Sequence, residues 1–425
     1  MTRTLIKGGR VIDPAQNLDV TADVVVENGN VASIGRATGK ADVTIDARGM
    51  LVVPGLIDMH VHLREPGNEN EETIASGLAA ALAGGFTSVA CMPNTEPPLD
   101  DEAAVEFVLT QAARARQARL FPIGAITQGR EGKDIAEMGQ MSRGGAVAFS
   151  DDGSGVQQAE VMRIALEYAR MLDRPIIAHC EDKSLAAEGV MHEGYMSTAL
   201  GLPGMPSAAE EIMVNRDIAL AEMTGARLHI AHVSTAGSVD LVRRAKKRGV
   251  RVTAEVCPHH IALTDEALRE YDPNFKVNPP LRTAGDVKAL LKGLKDGTID
   301  AIASDHAPHA LEEKDVEFGL APFGVVGMET VLAIVMEVLV RKRVLSLAEA
   351  ISALTVGPAR ALGIPKGTLL PGAEADVTII DPDQEWTIDA ARFRSKGRNC
   401  PFQGWKVKGK AVAVMVGGEI RYECK

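Results

Sequence analysis

Gly55-Leu56-Ile57-Asp58-Met59-His60-Val61-His62-Leu63-Arg64 decides how the rest of the chain is read. The apolar run from Met50 to Ile57 enters through Pro54-Gly55 and predicts a strand with His60 and His62 at its C-terminal end. Side chains alternate along a strand, so residues two apart share a face, with their Cα atoms about 7 Å apart. Two imidazoles so placed can reach one metal ion. The plainer alternative is a half-buried strand that carries two histidines by chance. What separates the two readings is where the other strands end.

Between residues 54 and 362 short apolar segments alternate with amphipathic helical ones. The predicted strands are Leu56–His62, Phe86–Met92, Arg119–Ala125, Ala146–Ser150, Pro175–His179, Arg227–His232, Arg251–Cys257 and Ala301–Asp305. Helical periodicity covers Glu72–Ala83, Glu102–Arg116, Gln157–Leu172, Ala208–Met223, Ser238–Arg248 and Met328–Arg341. Eight strands, most followed by a helix, predict an α/β fold of the (β/α)₈ TIM-like barrel type. An open doubly wound sheet is disfavoured, because no G-x-G-x-x-G follows any of these strands. Residues 1–53 and 363–425 read instead as short strands broken by turns such as Glu27-Asn28-Gly29-Asn30 and Gly417-Gly418. Neither end is long enough to bury a good core alone. The expected organisation is one small β-sandwich domain built from 1–53 plus 363–425, and a barrel domain over 54–362.

The 425 residues carry a formal net charge of −11, which argues against a nucleic-acid surface. Cys91, Cys180, Cys257, Cys400 and Cys424 are widely scattered with no C-x-x-C spacing, as in buried thiols of a reducing compartment. The opening Met1-Thr2-Arg3-Thr4-Leu5-Ile6-Lys7-Gly8 lacks the apolar core of a signal peptide. The charge-free stretch Ile74–Thr95 contains Gly77, Gly84, Gly85 and Pro93, and divides better into a helix and a strand than into a membrane span. The expectation is a cytoplasmic protein with no membrane contact.

Polar residues gather where the predicted barrel strands end. They are His60 and His62, one of the pair Asp151-Asp152, His179, His232 and Asp305. In a barrel these positions converge on one mouth. Histidines and carboxylates together suit Zn²⁺, and six such groups suit two ions bridged by a carboxylate rather than one. His229 is three residues out of phase with His232, so it reads as structural. His192 reads as a surface residue of an irregular loop, and His259 and His260 as supports beside the ligands.

Two long motifs carry a resemblance. Asp58-Met59-His60-Val61-His62-Leu63-Arg64-Glu65-Pro66 is one; Ala303-Ser304-Asp305-His306-Ala307-Pro308-His309, with Lys314 five residues on, is the other. In these motifs the chain resembles the amidohydrolase superfamily, and within it the dihydroorotases of the bacterial class I form. The resemblance implies that His60, His62, Asp152, His179 and His232 bind two Zn²⁺ ions per chain, with Asp305 as catalytic acid/base. Many relatives bridge their metals with a carboxylated lysine, but no lysine lies between Lys133 and Lys183. Phe149-Ser150-Asp151-Asp152-Gly153 resembles the subgroup in which an aspartate does the bridging, which implies Asp152 with a water or hydroxide; Asp151 is the alternative, otherwise structural or supporting.

The implied reaction is the reversible cyclisation of N-carbamoyl-L-aspartate to L-dihydroorotate, in pyrimidine biosynthesis. His62, Arg64, Asn94, Asn278, His309, Phe323 and Gly324 match the family's substrate contacts. A planar guanidinium holds a carboxylate with two parallel hydrogen bonds, which suits Arg64; Asn94 and His309 would share that task. The plainer alternatives are a surface ion pair for Arg64 and a turn-shaping role for Asn278 before Pro279. Part of His306–Gly327, which is charged at its centre and punctuated by glycines, is expected to close over the substrate. Two rival readings stand beside this one. The first is another cyclic amidohydrolase, an allantoinase or hydantoinase. The second is a silent scaffold for aspartate transcarbamoylase. A homodimer, or an active complex with aspartate transcarbamoylase, is compatible with the resemblance.

Overall fold

A computed structural model describes residues 3–424, so residues 1, 2 and 425 of the expected terminal domain lie outside the described residues. The chain opens with β1 (Arg3–Asp13), β2 (Leu18–Glu27), β3 (Asn30–Gly35), β4 (Val43–Asp46) and β5 (Leu51–Pro54). The barrel strands follow: β6 (Leu56–Val61), β7 (Phe86–Cys91), β8 (Arg119–Gly124), β9 (Ala148–Ser150) and β10 (Ile176–Ala178). A short parallel pair, β11 (Met191–His192) and β12 (Gly204–Met205), interrupts them. Then come β13 (Leu228–Ile230), β14 (Val252–Val256) and β15 (Ala301–Ile302), and the chain ends with β16 (Val377–Thr387), β17 (Lys406–Val416) and β18 (Glu419–Glu423).

The barrel sheet runs β6-β7-β8-β9-β10-β13-β14-β15, every neighbouring pair parallel. It closes just past β15, where Val61 bridges His306 and the His62 amide donates to the His306 carbonyl at 2.8 Å. Side chains from strands all round a ring can meet only inside it. Ile57, Met59, Ala90, Met92, Ile123, Ala148, Ile177 and Ala301 form such a cluster, completed by Ala359 and Leu362. Outside the ring, the helices turn Leu78, Val105, Leu166, Val214, Val242 and Leu290 into the main core.

Local sequence sets the helix ends. Thr73, Asp101, Thr235 and Thr283 each accept a hydrogen bond from the backbone N–H three residues on, the usual satisfaction of an orphan donor at a helix start. The stretch Ile74–Thr95 divides as expected into helix Ile74–Gly84 and strand β7. Among the described residues no helix is long and apolar enough to cross a membrane.

Three differences from the sequence expectation have physical causes. Strands β9, β10, β13 and β15 are only two or three residues long, because the chain turns off into the loops that carry the site. Helix Ala284–Lys295 was not expected; it buries only Leu290, Gly293 and Leu294, too narrow an apolar strip to show as periodicity. The expected helix Met328–Arg341 is α-helical over Val331–Val335 and π-helical over Met336–Arg341.

Strands from both termini join one further sheet, ordered β18-β17-β16-β5-β1-β2-β3, with β4 paired to β1. It curls over its own core of Val11, Val24, Val52, Leu369, Val377 and Met415. The curl brings Gly29 and Gly418, in turns near the two ends of the sheet, within van der Waals reach of each other. Between β16 and β17, residues 388–405 leave this sheet and reach the barrel, where Ser395 bonds Glu72 and Asn399 bonds Ala307.

The close approach of helix and loop also fixes one residue type. A Cβ at Gly84 would lie 2.1 Å from the carbonyl oxygen of Met328, a backbone atom that cannot swing aside. Gly84→Ala should therefore destabilise the protein by about 1–3 kcal/mol, the usual range for overpacking. Urea unfolding measures this, and an unchanged midpoint would mean that the Met328 backbone retreats freely.

Candidate metal centre and active site

The site is assembled around the carboxylate of Asp152, in the turn after β9. Its Oδ1 lies 3.5 Å from His60 Nε2, 3.5 Å from His179 Nδ1 and 3.5 Å from His232 Nε2, and its Oδ2 lies 3.6 Å from His62 Nε2. The Oδ1 of Asp305 completes the ring, 3.1 Å from His62 Nε2 and 3.5 Å from His60 Nε2. All six side chains are buried. Asp151 faces the other way: it accepts the amides of Ile126 and Thr127 at 2.8 and 3.1 Å, and so ties the ends of β8 and β9 together.

These donors fit a metal centre. Atoms bound to a tetrahedral ion at about 2.0–2.1 Å stand about 3.3–3.4 Å from one another, close to the spacings seen here. His60 Nε2 and Asp152 Oδ1 are buried without a hydrogen-bond partner, a costly state that a cation relieves. Two overlapping sets of atoms are close enough to share an ion: His60, His62 and Asp305, and His60, Asp152 and His232. Burial opposes ionisation of Asp152, yet the charge of His60 and the close imidazoles of His179 and His232 hold its carboxyl well below the usual range. Asp305 is likewise ionised despite burial, chiefly through His62 and His60. His232 and Asp305 have φ of 31° and 47°, and Arg64 has 62°. Left-handed backbone at three non-glycine residues is strain of the kind that functional sites retain.

Behind the histidines stands Glu255 of β14, fully buried. Its Oε1 is 2.6 Å from His60 Nδ1 and its Oε2 is 3.2 Å from His229 Nε2. Burial alone would neutralise it, but His60 and His229 bring its carboxyl down to about 2. Glu255 fixes the ring of His60 so that Nε2 points at Asp152, and His229 serves as the far support of that carboxylate. Sequence reasoning missed Glu255, although a lone carboxylate inside Val252-Thr253-Ala254-Glu255-Val256 was visible. Asp58 is also buried beside the site. It accepts the Ser304 amide at 3.0 Å and is pushed up to about 7 by burial.

On the open side, His62 Nδ1 and Asn94 Oδ1 are 2.7 Å apart. Arg64 is not the surface ion pair considered from sequence: it is largely buried, and its Nε lies 2.9 Å from Glu71 Oε2 and 3.1 Å from the Pro308 carbonyl. Arg64 Nη2 approaches His309 Nε2 at 3.4 Å, and that nitrogen is 2.8 Å from the Phe323 carbonyl. Burial, then the nearby Arg64 and Lys314 cations, lower His309 to about 3, so it is neutral near pH 7. Gly324 lies against Ala307 and His309, with φ of 126°. Asn278 sits further round the mouth, donating to Glu181 Oε2 at 2.7 Å; that oxygen is 3.7 Å from His179 Nε2.

The supporting histidines are placed differently from one another. His260 Nε2 bonds the Pro279 carbonyl at 2.8 Å, with the His259 ring packed against it, so the pair steadies the turn that carries Asn278. His192 is buried, not on the surface, and Arg282 donates to its Nδ1 at 3.1 Å. It belongs to the two-residue strand β11, too short to show any periodicity. Segment His306–Gly327 is tied down at Lys314, whose Nζ donates to the Pro273 and Pro322 carbonyls at 3.1 and 2.7 Å.

The carboxylate behind His60 generates a prediction. Partners that orient metal-binding histidines typically contribute 10–100-fold to affinity. Glu255→Gln should weaken retention of an added divalent metal by roughly that factor, read by competition with a chromogenic chelator. Unchanged retention would restrict Glu255 to a packing role.

Comparison with known proteins places this geometry in context. The chain matches the amidohydrolase family over residues 51–421. It is 59% identical to a dihydroorotase of Pelotomaculum thermopropionicum over 419 residues, which is 98% of each chain. It is 52% identical to a dihydroorotase of Syntrophus aciditrophicus over 424 residues, 99% of each. Among solved structures it is similar to the L-hydantoinase (dihydropyrimidinase) of Arthrobacter aurescens. That match has a TM-score of 0.90 at 29% identity, and covers 100% of this chain and 96% of the other.

Proposed function

Because the chain belongs to the amidohydrolase family, we propose that it is a zinc-dependent dihydroorotase, interconverting N-carbamoyl-L-aspartate and L-dihydroorotate. One observation carries this reading. The Asp152-centred histidine cluster shares a mouth with a buried guanidinium and imidazole, Arg64 and His309, that suit a carboxylate. The relatives named dihydroorotase, at 52–59% identity over nearly the whole chain, support the same reaction.

His60, His62, Asp152, His179 and His232 would hold two zinc ions, with Asp152 as the shared carboxylate. Zinc held there would supply Lewis-acid polarisation of a carbonyl and a water of lowered pKa near neutral pH. The chain's own residues then divide the remaining work. Asp305, ionised although buried, accepts the proton of the attacking water and returns it to the departing ring nitrogen. Its ring position, 3.1 Å from His62 Nε2, keeps that proton within the site. Arg64 and His309, with Asn94 beside His62, hold the substrate carboxylate and so aim the reactive carbonyl at the cluster, a positioning contribution. Asn278 and the backbone of Phe323 and Gly324 face the ring amides. Ring closure is the same path reversed.

On this reading residues 54–362 form the catalytic domain, and 1–53 with 363–425 the terminal one. A cytoplasmic enzyme of pyrimidine synthesis follows, compatible with a homodimer or with assembly onto aspartate transcarbamoylase. The hydantoinase alternative draws support from the solved neighbour, but at 29% identity against 59% for a dihydroorotase it is the weaker of the two.

The test is to purify the chain, count zinc per chain, and follow the ultraviolet absorbance of dihydroorotate beside dihydrouracil and hydantoin. Turnover of dihydroorotate with two zincs supports the proposal; turnover of the uncharged rings alone replaces it with the hydantoinase reading. Arg64→Ala should raise KM for dihydroorotate roughly 10–100-fold, the worth of a charge-assisted pair. An unchanged KM removes Arg64 from the carboxylate site.

A further inference from the structure

Residues 388–405 cross from the terminal sheet to the barrel mouth, and Asn399 lies near the far end of this crossing, 3% exposed. Its Nδ2 donates to the carbonyl of Ala307 at 2.9 Å and to that of Gly324 at 3.0 Å. Its Oδ1 accepts the amide of His309 at 3.3 Å, and its backbone carbonyl accepts the amide of Val326 at 2.9 Å. A primary amide offers two N–H donors and one carbonyl acceptor. All are engaged, and all on the backbone of two stretches: 307–309, which carries the His309 ring, and 324–326.

The geometry points to Asn399 as a positioning residue for the substrate carboxylate, an inference that rests on the dihydroorotase reading above. These two stretches almost touch. A Cβ at Gly324 would lie 2.7 Å from the Ala307 Cβ and 3.1 Å from His309 Nε2, so a small slip between them displaces the imidazole. Asn399 clamps both at once, from a segment that is itself fixed. The Oε1 of Glu329 accepts the amides of Arg394 and Ser395 at 2.8 and 3.1 Å. Ser395 Oγ bonds Glu72, whose Oε2 is 3.3 Å from His306 Nε2 at the end of the last barrel strand. Gly397 packs so closely on Pro308 and Val326 that a Cβ there would come within 2.7 Å of both. The side-chain chemistry is specific: aspartate would set a second acceptor against two carbonyl oxygens, and an apolar residue would leave three buried polar groups unpaired.

The terminal region therefore contributes to catalysis without touching substrate. Its contribution passes through His309, which a double-mutant cycle isolates. Asn399→Ala should raise KM for dihydroorotate roughly tenfold or more while kcat falls less, with zinc content retained. In the His309→Ala background the same substitution should add little, because the group it positions is gone. If the two effects on kcat/KM multiply instead, or if Asn399→Ala leaves KM unchanged, the proposal is overturned. Should Asn399→Ala not fold, Asn399→Ser keeps a small polar group with room for a water and is read through the same cycle. Failure of the unmodified chain to turn over dihydroorotate would instead strike the functional reading, and is distinguishable because it appears before any substitution is made.

Discussion

A carboxylate buried among four histidines is the constraint on which the rest of this structure depends. Removing an unpaired charge from water costs several kcal/mol even after relaxation, so Asp152 is tolerable only where cationic or metal-binding groups surround it. Those groups come from or just after three separate strands, β6, β10 and β13, together with Asp305 after β15, while Asp152 itself follows β9. A closed parallel ring is the arrangement that brings such distant segments to one mouth. The inside of the ring has to be filled so that the strands hold their spacing, and small side chains at Ala90, Ala148 and Ala301 do so beside the larger Ile57, Met59 and Ile177.

The same constraint extends outward through layers of partners. Glu255 holds the Nδ1 of His60 at 2.6 Å and leaves its Nε2 facing Asp152, and His229 lies 3.2 Å from the second oxygen of Glu255. Asp151, adjacent to Asp152, accepts the amides of Ile126 and Thr127 on Oδ1 and the Thr127 hydroxyl on Oδ2, and thereby sets the turn that aims Asp152 inward. Two neighbouring aspartates thus do different work: one is held by backbone donors, the other faces the histidines. The left-handed backbone of His232 and Asp305 is a further cost of aiming both side chains into so small a space.

Much of this was legible in the chain itself. Strand parity alone put His60 and His62 on one face, and the ends of apolar runs marked His179, His232 and Asp305. The choice between Asp151 and Asp152 was not a matter of parity, since the turn after β9 follows no period; resemblance decided it. Glu255 went unnoticed because attention fell on strand ends, whereas it supports the site from within a strand. His192 was misplaced because a two-residue strand leaves no pattern. Asn399 lies 90 residues from the amide it accepts, in an irregular segment, and no local rule links such positions. Hydrogen bonding across domains is a property of the folded chain, invisible to periodicity.

The proposed anion pocket raises an electrostatic problem, since the chain carries a net charge of −11. Arg64 does not wait there as a bare cation: Glu71 lies 2.9 Å from its Nε, and burial would otherwise make the guanidinium expensive to keep charged. Its Nη2 is turned instead toward His309, at 3.4 Å. A guanidinium carries five N–H groups, so the Nε–H can go to the Pro308 carbonyl, with Glu71 beside it as counter-charge, while the other four remain for a ligand. Glu71 therefore orients Arg64 and lowers the net charge of the pocket without filling its hydrogen-bonding capacity. Recognition built this way depends on geometry more than on field strength. That is why the backbone that carries His309 has to be held so firmly, and why a segment of the terminal region is committed to holding it.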